Sequence, residues 1–336
     1  MIPAMRNAVV ITTIHPPGKA TLAFGRLPGW RLVVAADRKT PDGWRQAGCR
    51  FIAEKDQRAL SYGICKQLPW NHYSRKMIGY LVAIETGAHR IADSDDDNIP
   101  LENWGFPDFD GSYETTAPDR GFVNVYGLFS QERPSPWPRG FPLNRLLPEP
   151  VEVEKTSVKT VQVGVWQGLV KGEADVDAIY RLTVNRPIRF THRAPIVFDT
   201  GTPCPFNSQN TVFRRALFPL LYLPAFVTFR YTDILRSLVA QPVMWASGYR
   251  LGFISPTVIQ ERNPHNLLAD FESEIPCYLH PEKVTDAVQA AVRSGVSISE
   301  NLLAAYEALA RKELVRPEEM NLLEAWIGDI HRLGVS

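Results

Sequence analysis

Residues 8–14 (AVVITTI) form an unbroken run of apolar and β-branched side chains, the pattern of a parallel strand covered on both faces. The segment HPPGK at 15–19 stops it. A second such run, 31–36, is closed by DRKTP at 37–41, and residues 48–53 offer a third short strand. A helix is predicted over about 73–87. There Met77, Ile78, Leu81, Val82 and Ile84 share one face, and Gly87 suits a C-terminal cap. The step Arg90-Ile91-Ala92 then reads as a fourth strand. This β-β-β-α-β order predicts an α/β fold with a parallel sheet whose strand ends carry the site. Further strands are expected at 121–126 and 159–166. Residues 281–335 repeat their apolar positions at helical intervals, with Ser299 as a capping residue. The expected division is a domain over 1–280 and a helical appendage over 281–336.

Composition narrows the class. A chain of 336 residues with 45% hydrophobic content supports one large domain or two closely packed ones. A net charge of +1 gives no bulk attraction to nucleic acid or to an anionic membrane. Cys49, Cys65, Cys204 and Cys277 lack metal-site spacing and read as free thiols of a reducing compartment. Neither apolar run, 8–14 nor 216–229, is long enough to span a bilayer. A cytoplasmic protein is expected. Prolines gather at 133–150 and 187–224, which predicts long ordered loops.

The strongest chemical signal is the run 89–98 (HRIADSDDDN), with Asp93, Asp95, Asp96 and Asp97 inside five residues. Packed carboxylates repel one another unless a cation is present. Mg²⁺ or Mn²⁺ takes oxygen ligands and keeps positions open for phosphate oxygens. The competing reading is a solvated acidic loop.

Several motifs in fixed order resemble the STELLO family of glycosyltransferases. They are the segment 30–44, LPWNHYSRK at 68–76 with IGYL at 78–81, DSDD at 93–96, SPWPRGFPL at 135–143, PFNSQNT at 205–211, DILR at 233–236 and PTV at 256–258. The resemblance covers roughly residues 7 to 262. A more distant likeness runs to the reversibly glycosylated polypeptides, which are UDP-arabinopyranose mutases. It rests on Arg75 with Gly79-Tyr80, Asp95-Asp96-Asp97, RGFP at 139–142, GVW at 164–166, Asn210 and RYTD at 230–233. Both resemblances imply a GT-A-like nucleotide-sugar fold with an Asp-x-Asp motif. In that pattern one aspartate contacts ribose and another binds the metal that neutralises the diphosphate. The metal ligands expected are Asp93, Asp95 and Asp97, with Asp95 and Asp96 also meeting the nucleotide.

The remaining candidates each carry an alternative. Asp37 could accept a uracil or ribose hydrogen bond and Lys39 could meet phosphate, or both belong to a polar turn. Arg75 and Lys76 begin a helix, which favours phosphate; the alternative is a salt bridge from Arg75 to the acidic run. The mutase likeness places Arg139 at a sugar-accepting arginine; it also suits a diphosphate clamp, or a loop arginine stacked on Trp137. Asp233 is the expected catalytic base, or a helix cap. Asn210 and Asn207 suit sugar or phosphate contacts, or turn chemistry. Asp175 and Asp177 read as caps, with an acceptor role as the alternative. His72 and His192 read as structural.

The expected function is metal-dependent transfer from a nucleoside-diphosphate sugar, a UDP-sugar first, to a glycan or other acceptor in polysaccharide synthesis. A pyranose–furanose mutase and a non-catalytic scaffold are the alternatives. The C-terminal helices, anchored by Trp326 and Leu322, are expected to pack or to self-associate into a homo-oligomer.

Overall fold

The computed structural model describes residues 6–146, 156–261 and 266–335. The end of the proline-rich stretch, 147–150, and the outer bounds of the two expected domains, 1 and 336, lie outside them. Ten strands are described: β1 (Asn7–Thr13), β2 (Trp30–Ala36), β3 (Cys49–Ile52), β4 (Arg90–Ser94), β5 (Asn98–Pro100), β6 (Asp110–Thr116), β7 (Thr156–Gly172), β8 (Ile196–Phe198), β9 (Asn210–Arg214) and β10 (Tyr249–Gln260). They form one mixed sheet in the order β3-β2-β1-β4-β9-β7-β6-β8-β10-β5. The helices are α1 (Lys19–Phe24), α2 (Glu54–Ala59), α3 (Lys76–Glu85), α4 (Val125–Phe129), α5 (Ala178–Thr183), α6 (Thr232–Ala246), α7 (Leu267–Leu279), α8 (Pro281–Ala291), α9 (Ile298–Arg311) and α10 (Glu318–Arg332).

The N-terminal strands are parallel, with β1 between β2 and β4. Alternate residues of β1 and β2 enter two different cores. Ala8, Val10 and Val33 join the core that includes α3, while Val9, Ile11, Leu32 and Val34 join the core on the opposite face. That is why these strands read as continuous apolar runs. Helix α3 lies close on the sheet because Gly79 has no Cβ; one built there would stand 2.6 Å from Val10 Cγ1. Gly87, at φ +86, ends the turn after α3 in the left-handed region, as its capping role requires.

Three local expectations are corrected. Residues 121–124 are not a strand; Asn124 Oδ1 accepts from Tyr126 and Gly127 N and caps α4. Ser297, not Ser299, caps α9, in a reciprocal box with Glu300; Ser299 is buried. Helical structure also begins earlier than expected, with α7.

The C-terminal helices share the core of the sheet rather than standing apart from it. Trp326 and Leu322 are fully buried within the chain, so they are not surfaces for self-association. Trp326 Nε1 donates to Pro219 O at 2.9 Å. Buried Glu319 accepts from Ala225 N (3.0 Å), Phe226 N (2.9 Å) and the Tyr222 hydroxyl. Asp329 accepts from Gly63 and Ile64 N at 2.8 and 3.0 Å. The four cysteines are free, with Cys204 and Cys277 buried. Among the described residues, no helix is long and apolar enough to cross a membrane.

Candidate functional site

The strand order reverses at β1: the chain runs outward to β2 and β3, then returns to the other side of β1 as β4. Crevices at the carboxyl ends of strands at such a reversal are where open α/β sheets hold ligands. A cleft of about 390 Å³ lies there. Its walls include Thr13 at the end of β1, Asp37 and Lys39 after β2, and Asp95, Asp96 and Asp97 after β4. Asp37 accepts from Arg38 N (2.7 Å), Asn71 N (2.7 Å) and His72 N (2.9 Å). It therefore braces the 70–72 loop against the strand end as well as facing the cleft. His72 lines the same cleft, and its Nδ1 accepts from Ser74 N.

The acidic run divides by strand geometry. Asp93 and Asp95 are two residues apart and share a face of the β4 extension, where both meet Lys76. Asp93 is fully buried, with Lys76 Nζ at 2.8 Å on one oxygen and Arg236 at 2.7 Å on the other. Both oxygens are committed beneath the cleft, so Asp93 is not a cation ligand, contrary to expectation. Lys76 Nζ also donates to Asp95 at 2.9 Å and to the Tyr73 hydroxyl at 2.8 Å; that hydroxyl in turn donates to Asp95 at 2.6 Å. Burial alone would lower the Lys76 ammonium, but the two aspartates outweigh it and hold it raised. Burial pushes Asp95 up to about 7, against the pull of Lys76 and with the added repulsion of Asp97. Asp96 accepts from the Thr13 hydroxyl. Asp97 accepts from Gln260 Nε2 at 2.8 Å.

Two other expectations are corrected. Arg75 does not reach the cleft. Its guanidinium donates to Gln57 Oε1 (2.7 and 2.9 Å) and Leu68 O (3.0 Å) and lies 3.5 Å over the Trp70 ring. The next residue, Lys76, meets the acidic run instead. Asn210 is buried within the sheet, bonded to Thr257 and Trp104, and does not line the cleft. Its neighbour Gln209 does, donating to Gln260 Oε1 at 2.8 Å.

Lys76 balances two carboxylates in the interior, and removing one partner of a buried pair costs about 3–5 kcal/mol. Lys76→Met is expected to lose that much stability in urea denaturation, and Lys76→Met/Asp93→Asn to regain part of it. A single variant as stable as wild type would show that the network contributes nothing.

The opposite wall is built around Arg139. Its Nε and Nη2 meet Asp175 at 3.0 and 2.8 Å, while Nη1 and Nη2 meet Asp233 at 3.1 and 3.2 Å. Nη1 also donates to Arg230 O. A guanidinium has five N–H groups, and these contacts occupy all of them. Burial would lower Arg139, but Asp175 and Asp233 outweigh it and keep it raised. Arg139 therefore holds two carboxylates at the cleft; it has no free fork for a diphosphate and no free nitrogen to receive a sugar, and the nearby Trp137 donates its Nε1 to Asp177 at 2.7 Å. Asp233 lines the cleft at the start of α6 and accepts from Ser208 N at 3.3 Å. Asp175 stands in the site, whereas Asp177 caps α5 through Tyr180 N at 2.8 Å. Thr13, Tyr73, Gln209, Gln260, Phe229 and Arg236 were not singled out as site residues from the sequence, and none carries a periodicity or charge-cluster signal. Lys76 was singled out with Arg75 as a phosphate-favouring cation at the helix start, and it meets Asp93 and Asp95 instead.

No three carboxylate, imidazole or thiolate side chains among the described residues converge to hold a metal by themselves. Mg²⁺ commonly uses one or two carboxylates and completes its shell with water and phosphates. Asp95 and Asp97, which repel one another on one lip of the cleft, are the two carboxylates there that could hold such a cation.

Comparison with known proteins bears on the same residues. The family described as STELLO glycosyltransferases matches residues 230–336. Probable glycosyltransferase STELLO2 of Arabidopsis thaliana is 30% identical over 269 residues, covering 74% of this chain and 35% of that protein. The chain is STELLO-like in sequence. Probable glycosyltransferase STELLO1 of the same plant is 26% identical over 347 aligned positions, covering 97% of this chain and 44% of that protein. The chain thus spans less than half the length of these curated relatives. The resemblance does not stop near 262: the matched region contains Asp233, Arg236, Gln260 and helices α7 to α10. The helical tail belongs to the STELLO-like region, consistent with its place in the core.

Proposed function

We propose that this STELLO-like chain transfers a sugar from a nucleoside-diphosphate donor, a UDP-sugar first, to a glycan or other acceptor hydroxyl, on a GT-A-like fold. The observation that carries the reading is the cleft at the strand reversal, with Asp95 to Asp97 on one lip and the Arg139-held carboxylates on the other. In this reading Asp37, Lys39 and the 71–72 backbone orient the nucleoside and its phosphates. Asp95 and Asp97 hold Mg²⁺ or Mn²⁺, with Asp96 set by Thr13. The cation, when bound, neutralises charge on the departing diphosphate. Asp233 takes the proton of the acceptor hydroxyl as its oxygen bonds to the anomeric carbon and the bond to the diphosphate breaks. Arg139 positions Asp233 and Asp175 for that step. Its fully occupied N–H groups favour transfer over a mutase route that needs this arginine free.

Calorimetric titration of UDP tests the cation site. With Mn²⁺ present, wild type is expected to bind; EDTA, or Asp95→Ala with Asp97→Ala, is expected to weaken binding by roughly 10- to 150-fold, the scale of losing charge-assisted contacts of about 1.5–3 kcal/mol. The same UDP affinity under all these conditions would overturn the assignment.

A further inference from the structure

We infer that Phe229 is a platform on which the acceptor sugar stacks, with Asp175 and Asp233 beside it to accept its hydroxyl hydrogens; this rests on reading the cleft as a glycosyl-transfer site. Phe229 is 59% exposed yet lines the cleft together with Asp175, Arg230 and Asp233. Leaving a phenyl ring in water forgoes much of what its burial would contribute, and the turn that presents it is not loose. Thr228 Oγ1 donates to Ser273 O at 2.6 Å, Arg230 N donates to Ser273 Oγ at 3.2 Å, and the Arg230 guanidinium meets buried Glu274 at 2.6 Å. The ring makes a T-shaped contact with Tyr73, 5.8 Å between centroids at 75°, and Tyr73 is the residue that donates to Asp95. Phe229 is thus a braced aromatic lining the cleft, in contact with Tyr73 and four residues before Asp233, which lines the same cleft.

That combination suits a carbohydrate. A pyranose ring turns a face of C–H groups outward, and the negative face of an aromatic ring attracts them. Its hydroxyls are donors that ionised carboxylates accept. The nucleotide half of the proposed donor is drawn to the strand ends and to Lys39. Phe229 and Asp233 enter from the α6 side, the wall left for a second sugar. The inferred ligand class is therefore a neutral pyranoside acceptor.

The test is saturation-transfer NMR on the full chain with UDP and Mg²⁺, using methyl β-D-glucoside, methyl β-D-galactoside and methyl β-D-xyloside as probes. Wild type is expected to transfer saturation to the ring C–H protons of at least one glycoside. Titration should show that glycoside bound roughly tenfold more weakly by Phe229→Ala and with near wild-type affinity by Phe229→Trp. UDP signals should be unchanged in both variants. The exposed position predicts an unaltered unfolding midpoint, which separates loss of a contact from loss of fold. A UDP signal with no glycoside signal in wild type overturns the platform and leaves the donor reading intact. Equal glycoside affinity in Phe229→Ala also overturns it. Glycoside binding that depends on Phe229 without any UDP signal upholds the platform and removes the nucleotide donor.

Discussion

Truncation after His280 is expected to abolish soluble, folded protein and with it all nucleotide binding. A detachable appendage would leave the cleft intact, but the tail here completes the core. Leu322, Leu323, Trp326 and Ile330 are all fully buried. Burial of each such side chain stabilises by about 1.5–3 kcal/mol, whereas a whole domain is stable by only about 5–15 kcal/mol. Polar ties add to this. Without Glu319 the N–H groups of Ala225 and Phe226 lose their acceptor, and without Asp329 those of Gly63 and Ile64 do. The first pair lies in the segment leading to Phe229 and Asp233, so damage reaches the cleft. Circular dichroism and calorimetry on the truncated chain check this. A folded truncation that binds UDP like the full chain would show the tail to be an accessory after all.

The second large effect is expected at Arg139. Arg139→Ala leaves Asp175 and Asp233 buried and facing each other without their shared cation. Breaking a buried pair in this way costs about 3–5 kcal/mol, so denaturant melts should show a loss of that size together with loss of transfer activity. Lysine restores a charge but not a planar fork with five donors. Arg139→Lys should therefore regain only part of the stability. Arg139→Met/Asp175→Asn, which removes the repulsion, is expected to recover stability without recovering activity. A different outcome, with Arg139→Ala fully stable and only diphosphate affinity lost, would mean that the arginine clamps the donor directly and that the pairing with two aspartates is dispensable.

The local elements were legible because they depend on neighbours in sequence. Continuous β-branched runs became β1 and β2, sealed on both faces, and the apolar face of residues 77–84 became α3. The acidic run was correctly located at the end of a strand, since strand ends and charge clusters are both visible along the chain. Where the pattern was weak, local reading failed: residues 121–124 have the apolar content of a strand, but Asn124 starts a helix there. Which carboxylates face the cleft was a different kind of question. Asp93 is withdrawn by Arg236, 143 residues away, and Asp233 is held by Arg139, 94 residues away. Neither partner is marked by periodicity or spacing, because an ion pair across the core follows from where separate elements dock. The same holds for Arg75 and Lys76. Adjacent residues in a helix point about 100° apart, and only the packing of α3 on β1 and β2 decides which one meets the acidic strand. The sequence by itself thus determined the elements, the family likeness and the place of the acidic run. Only the tertiary structure decided which charges neutralise one another in the interior and which are left to face a ligand.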